Sequence, residues 1–382
     1  GQYSADADIS LIEGNKGLYD GLDLDGSNSN AALATLTQSP VILVLDARGM
    51  TRGIAPLILG YQAFDPDIRI AGVILNQLGG SRHEAKLRGV IEHYTDVRVI
   101  GGVHRHRELE IIERHLGLIP SNEEATSTSR IRQIRDIISA EVDLDGLLAV
   151  ADSTPLQHEP VSPVTTTAAD RVRIAIAQDT AFGFYYPDDL IALEQAGAEL
   201  VRINTLSDSS LPAVDGLFIG GGFPETRMQA LSANAAMREQ LGTAIAAGLP
   251  AYAECGGLMY LCRSLRWQER QYEMAGVIPA DCVMHERPQG RGYVRLRETA
   301  AMPWAGPRPA GEIAAHEFHY SALENITEPL TFAYDVMRGA GIDGKHDGIV
   351  INNLLASYTH MRDTRQHHWA RRFVDYVRHC RG

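Results

Sequence analysis

The chain has 382 residues, 45% hydrophobic and 22% charged, enough to bury a large core and to fold as two domains or more. Its formal net charge of −13 argues against nucleic acid or an anionic membrane surface as the main partner, since both need a basic face, and acidic ligands would need local basic pockets. Four cysteines (Cys255, Cys262, Cys282, Cys380) lack metal-type spacing and are too few for a disulfide framework; no apolar run reaches membrane-spanning length; and no signal peptide opens the chain, so the composition reads as cytoplasmic.

In chain order, residues 9–14 are predicted as a strand that ends in Glu13 and runs into a loop holding Lys16 and Asp20. Carboxylates beyond a strand's C-terminal end are where α/β folds place ligands. Glu13 and Asp20 read either as binders of a metal carried by phosphates, with Lys16 neutralising ligand charge, or as a solvated acidic loop. Residues 40–46 form a near-continuous apolar run ending in Asp46, as in a central parallel strand. A helix over 53–64, a strand over 70–76, a helix over 82–94 and a strand over 97–101 continue the alternation of a parallel sheet. Asn76, at a strand end, reads an adenine edge or caps a turn. His104-Arg105-His106-Arg107 reads as a solvated loop. Residues 110–117 and 131–150 are predicted helices. A proline- and hydroxyl-rich linker over 153–170 divides a first domain, 1–152, from a second, 171–382.

The second half restarts with a strand over 172–177, a helix over 188–197, and a strand entering the glycine turn Gly220-Gly221-Gly222-Phe223. The bare amides of that turn either face an oxyanion or make a plain flexible turn. One helix later, residues 248–253 are predicted as a buried strand and 257–265 as a helix, with Cys255 at the elbow between them. A helix N-terminus favours the thiolate, the nucleophilic form of cysteine. Cys262 is expected on the same helix face, buried and inert. His360 ends an apolar run and is the expected base, with His316 and His319 as rivals or substrate contacts.

These residues resemble the cobyrinic acid a,c-diamide synthase family of glutamine-dependent tetrapyrrole amidoligases. The resemblance rests on GLYDG at 17–21, VLDARGM at 44–50, GVILN at 72–76, FGFYYPD at 182–188, GGGFPE at 220–225, AECGGLMYL at 253–261, HEFHYS at 316–321 and NLLASYTH at 353–360. It implies an α/β protein with a phosphate-loop, dethiobiotin-synthetase-like parallel-sheet domain followed by a class I glutaminase domain of flavodoxin-like type. It further implies that Cys255 attacks glutamine, that His360 is its base, and that Gly221, Gly222 and Phe223 supply oxyanion donors. Glu13, Lys16, Asp20 and Asp46 then belong to the synthetase site, Glu13 and Asp20 to Mg²⁺, and Asn76 to ATP. There a carboxylate becomes an acyl phosphate that ammonia displaces. Arg287, Arg291, Arg295 and His319, with Lys16, are the expected contacts of the polycarboxylate macrocycle.

Three departures qualify the match. Met361 and Arg362 follow His360 where the family ends in His-x-His, so the third member of the triad is undefined. Asn15-Lys16 stands where Val-Met is usual and resembles siroheme amidases of sulfur oxidation, which makes siroheme the alternative substrate. A catalytically dead glutaminase fold acting as a binding module is the alternative of another class. The family's phosphate loop, Gly-x-x-x-x-Gly-Lys-[Ser/Thr], is expected to be absent together with its strand, which predicts no Mg-ATP binding and either self-association or local disorder at the uncovered sheet edge. The apparent match at 339–345 has His346 where the hydroxyl belongs and is predicted to connect two strands.

Overall fold

The computed structural model describes residues 7–111, 113–114, 117–118, 127–153, 171–304, 306, 309 and 311–381. The chain divides into two compact units, residues 1–112 with 125–162, and residues 113–124 with 163–382. The expected linker, apart from its first residue, lies outside the described residues.

In the first unit Ser29 caps α1 (Asn30–Thr37), its Oγ accepting from the Ala32 amide at 3.1 Å. Then β1 (Val41–Asp46), α2 (Ile54–Phe64), β2 (Ile70–Leu78), α3 (Ser81–Tyr94) and β3 (Val99–His104) alternate as the apolar runs predict. The strands form a parallel sheet in the order β1-β2-β3, with Asp46 paired in register to Asn76 at its C-terminal edge. Residues 9–14 are not a strand. They are irregular and exposed, and among the described residues no neighbouring strand satisfies their backbone, without which an apolar run does not become a strand. The loop beyond them is anchored by Leu18 and Tyr19, which pack on the core, and by the Tyr19 hydroxyl, which donates to the Tyr61 carbonyl at 2.6 Å.

The helix expected over 110–117 is also missing: β4 (Glu113–Arg114) pairs antiparallel with β5 (Gly117–Leu118). The helix expected over 131–150 is two, α4 (Ser127–Glu141) and α5 (Leu144–Ala151). Asp143 breaks it, because its side chain caps α5 at the Gly146 amide (2.8 Å) while its own N–H donates to the Ile100 carbonyl. Nor is the 104–107 segment merely a solvated loop, since His104 Nδ1 and His106 Nε2 meet Glu141 Oε1 at 2.8 and 3.1 Å and tie the end of β3 to α4.

The second unit runs β6 (Val172–Ala177), β7 (Phe182–Phe184), α6 (Pro187–Gln195), β8 (Ala198–Ile203), β9 (Gly216–Ile219), β10 (Gly221–Gly222), α7 (Met228–Ala233), α8 (Ala235–Ala246), β11 (Ala251–Glu254) and α9 (Gly256–Leu261). It continues with β12 (Cys262–Trp267), β13 (Arg270–Glu273), β14 (Ile278–Met284), β15 (Gly290–Glu298), β16 (Ile313–His319), β17 (Ser321–Glu324), β18 (Thr331–Arg338), β19 (His346–Ile351), β20 (Leu354–Ser357) and α10 (Trp369–Arg381). Nine strands form one sheet in the order β16-β15-β18-β19-β20-β11-β9-β6-β8, and its five members from β20 to β8 run parallel.

Strand alternation feeds two cores. Leu217, Ile219, Ala251 and Ala253 face the cluster built with α7, α8 and α9, whereas Phe218 and Tyr252 face Trp304, Trp369 and Phe373 on the other side. A four-stranded sheet, β13-β12-β14-β17, extends the first cluster. The helix expected over 257–265 therefore stops at Leu261, and Cys262 opens a strand paired with β14 instead of continuing a helix face. Residues 339–345 do connect two strands, β18 and β19, and Glu317 pins the turn by accepting from the Ala340 and Gly341 amides at 2.7 and 2.9 Å. Among the described residues no helix is long and apolar enough to cross a membrane.

Candidate functional site

Parallel pairing aligns the C-terminal ends of β9, β11 and β20 on one edge of the large sheet, and each delivers part of a site there. β11 delivers Cys255, only 8% exposed, at φ 46° and ψ −98°, a strained backbone for a residue with a side chain. The strain is held in place from both sides: the Cys255 amide donates to the Ser357 carbonyl at 2.7 Å, and its carbonyl accepts from the Met259 amide at 3.0 Å as α9 begins.

β9 delivers the glycine turn. A Cβ on Gly256 would stand 2.9 Å from the Gly222 nitrogen, and one on Gly221 would stand 2.7 Å from His360 Cε1, so turn, elbow and imidazole touch. The turn itself is fixed by the buried Tyr185 hydroxyl, which donates to the Ala177 carbonyl at 2.6 Å and accepts from the Gly220 amide at 3.0 Å. One expected oxyanion donor is lost here, because the Phe223 amide donates to the Ala181 carbonyl at 2.9 Å. Gly221 and Gly222 remain beside the elbow.

Beyond β20 the chain presents His360. Its Nδ1 lies 3.1 Å from Glu254 Oε2, and since a carboxylate only accepts, Nδ1 carries the proton. Glu254 is 4% exposed and also accepts, through Oε1, from the Tyr252 hydroxyl at 2.6 Å and the Met361 amide at 3.1 Å. Burial opposes charge on His360, yet its hydrogen bonds to Cys255 and Glu254 and their negative charge raise it from the ordinary 6.5 to about 10. His360 is thus held as an imidazolium against Cys255 and Glu254. Glu254 is the carboxylate that spacing after His360 did not reveal; its signal was an acid closing the buried run Ala251-Tyr252-Ala253, directly before the nucleophile.

The rival histidines have other places. His316 stacks on His360 with ring centroids 5.1 Å apart and meets the Tyr186 hydroxyl at 3.1 Å. Burial and the charge on His360 push it down to about 4, which makes it a poor base. His319, expected to touch substrate, is 3% exposed, stacked 3.9 Å from the Tyr358 ring, with Nδ1 at 2.8 Å from the Ser321 carbonyl. It supports the interior instead. Arg291 and Arg295 lie on the exposed face of β15, where the Arg291 guanidinium sits 5.5 Å from the Phe318 ring centroid, and Arg287 is exposed in the preceding loop. All three belong to the second unit and Lys16 to the first.

In the first unit Glu13, Lys16 and Asp20 are exposed in the loop before α1, and Asn30 Nδ2 holds that loop through the Lys16 and Gly17 carbonyls at 3.0 and 3.3 Å. Asp46 is engaged by Arg48, whose Nε approaches its carboxylate at 2.8 Å and holds it below the usual carboxylate range. Asn76 Oδ1 accepts from the Gln77 amide at 2.9 Å, a local turn bond. Among the described residues no group of three or more His, Cys, Asp or Glu is arranged to hold a metal ion. The donors fit a magnesium ion only if phosphates complete its shell.

Residues 173–366 match a family model described as a CobB/CobQ-like glutamine amidotransferase domain, and residues 1–112 match an AAA domain. The chain is 44% identical over 370 residues to the cobyrinate a,c-diamide synthase of Magnetococcus marinus, spanning 95% of this chain and 79% of that protein. The enzymes of the same name from Methanosarcina acetivorans and Archaeoglobus fulgidus are 41% and 39% identical, over 93% and 96% of this chain and 76% and 80% of theirs. With the elbow cysteine, its imidazole and the glycine turn assembled inside the matched region, the chain belongs to the cobyrinate a,c-diamide synthase family of ATP-dependent, glutamine-using amidoligases.

Proposed function

We propose that this chain releases ammonia from glutamine at Cys255 and uses it to amidate carboxylates of a cobyrinate-type tetrapyrrole, within the cytoplasm. The observation that carries the glutaminase half is the contact of His360 with both Cys255 and Glu254 at the strained elbow. The thiolate adds to the glutamine amide carbon, and the oxyanion so formed lies against the amides of Gly221 and Gly222. His360 gives its proton to the leaving nitrogen, which departs as ammonia; it then takes a proton from water, and that water releases glutamate from the thioester. A dead binding module would not need a cysteine held on a strained backbone against a charged imidazole.

For the synthetase half, the support is the 44% identity to a named cobyrinate a,c-diamide synthase over 95% of this chain. A substrate carboxylate takes the γ-phosphoryl of ATP, leaving ADP, and ammonia displaces phosphate from the acyl phosphate. Glu13 and Asp20 are assigned to the metal carried by the phosphates and Lys16 to phosphate or carboxylate charge there, with Asp46 and Asn76 at the same sheet edge as one another. Glu13 and Asp20 would hold a magnesium ion, which would supply neutralisation of phosphate charge. Arg287, Arg291 and Arg295 are assigned to macrocycle carboxylates. Asn15-Lys16 favours siroheme as the second reading.

Product masses from the full-length enzyme, offered cobyrinate or siroheme with glutamine and Mg-ATP, separate the two: a gain of one or two amides on cobyrinate is expected, and amidation of siroheme alone would overturn it. Alkylation by a glutamine-analogue electrophile is expected at Cys255, and labelling elsewhere would defeat the glutaminase assignment.

A further inference from the structure

β20 ends at Ser357, three residues before His360. Its ladder to β19 runs from Ile349↔Ala356 to Ile351↔Leu354 and goes no further, while His360 exchanges backbone hydrogen bonds with His316 on β16 at 2.8 and 3.2 Å. Tyr358 and Thr359 therefore cross from one strand partner to another inside the protein. Their amides need acceptors that no strand supplies.

Asp347 supplies them. It is 0% exposed, and one carboxylate oxygen accepts from the Gly348 amide at 2.8 Å and the Tyr358 amide at 3.0 Å, while the other accepts from the Thr359 amide at 3.0 Å. Gly348 adopts φ 72°, and a Cβ there would lie 2.6 Å from the Tyr334 ring, so the bend beside Asp347 needs glycine. A buried carboxylate gripping three amides is a stiff mount, because charge-assisted bonds are short and the alternative is unpaired buried amides. What it mounts has little room to move, since His360 must meet Cys255 and Glu254 while its Cε1 crowds the Gly221 backbone.

We propose that Asp347 is a positioning residue for glutamine hydrolysis: by holding the amides of Tyr358 and Thr359 it sets the His360 ring against Cys255 and Glu254. The inference rests on the glutaminase reading above.

The test uses Asp347→Asn in the full chain, which puts an NH₂ group where an acceptor oxygen faced an N–H. Glutamine kcat is expected to fall by a factor on the order of 10², the cost of an ångström-scale misplacement, with KM for glutamine nearly unchanged. The titration midpoint of the His360 ring, read by NMR, is expected to fall from about 10 toward the ordinary 6.5 as its contacts with Cys255 and Glu254 loosen. In a His360→Ala background the same substitution is expected to add no further loss. Asp281→Asn, which removes a carboxylate bonded to Arg263 and Asn325 in the same unit, is expected to leave the His360 midpoint in place. Wild-type kcat and midpoint in Asp347→Asn, or a full additional loss beside His360→Ala, would overturn the proposal. Should the variant not fold, hydrogen exchange in the wild-type chain decides: the Tyr358 and Thr359 amides are expected to exchange only through global opening, and loop-like exchange overturns the mount. A wild-type chain that neither hydrolyses glutamine nor is alkylated at Cys255 defeats the underlying glutaminase reading instead.

Discussion

At the scale of single residues, the site turns on which groups are charged. His360 titrates near 6.5 when unfolded and about 10 when folded, so its ion pairs contribute stability that is fully present below about pH 6.5 and is lost as pH rises through about 10. Glu254→Gln keeps the shape of the carboxylate and removes its charge. The melting temperature of this variant is expected to fall below that of the wild type by more at pH 6 than at pH 10.5, and an equal difference at both would refute a charged His360–Glu254 pair. His360→Ala is expected to slow glutamine hydrolysis by on the order of 10² or more, the worth of a general base, in a steady-state assay. His316→Ala is expected to cost much less, because an imidazole with a pKa of about 4 is not the base. A reversal of that order would exchange their roles.

At the scale of elements, the elbow and the glycine turn work because backbones approach closer than side chains allow. A Cβ on Gly222 would sit 2.0 Å from the Ala181 carbonyl oxygen, which is itself fixed because Asp179 holds the Ala181 amide at 2.7 Å and the Phe223 amide donates back at 2.9 Å. The turn has no slack. Gly222→Ala is expected to destabilise the protein by about 1–3 kcal/mol, the usual cost of overpacking, and to abolish glutamine hydrolysis in the fraction that remains folded. Chemical denaturation and a glutaminase assay check the two halves of that expectation. Glu317→Ala, which strips the Ala340 and Gly341 amides of their acceptor, is expected to cost a similar amount, about 1–3 kcal/mol, because those donors lose their hydrogen bonds. It should leave glutamine kcat unchanged, since this turn touches none of the reacting groups.

At the scale of the whole molecule, the two half-reactions are separable in kind. Cys255→Ser in the full-length enzyme is expected to abolish glutamine-dependent amidation while leaving amidation with ammonium salts intact, read from product masses, because free ammonia bypasses the thioester. Loss of both would show that Cys255 does more than release ammonia. The alternating α/β class, the positions of β1, β2, β6 and α3 and the elbow at Cys255 were legible in the residues alone, since apolar period and a cysteine set between a strand and a glycine pair are local signals. Segments whose outcome depends on a distant partner were not legible there. Residues 9–14 have strand composition but, among the described residues, no paired neighbour, residues 262–265 join a sheet rather than extend a helix, and Asp143 splits a helix because its own amide donates to the Ile100 carbonyl on β3. That Glu254 faces His360 emerges only on folding, because the carboxylate and the imidazole are 106 residues apart in the chain. The same holds for Asp347: its grip on Tyr358 and Thr359 exists only where β19 and β20 part, a juxtaposition that sheet register creates and no stretch of residues announces.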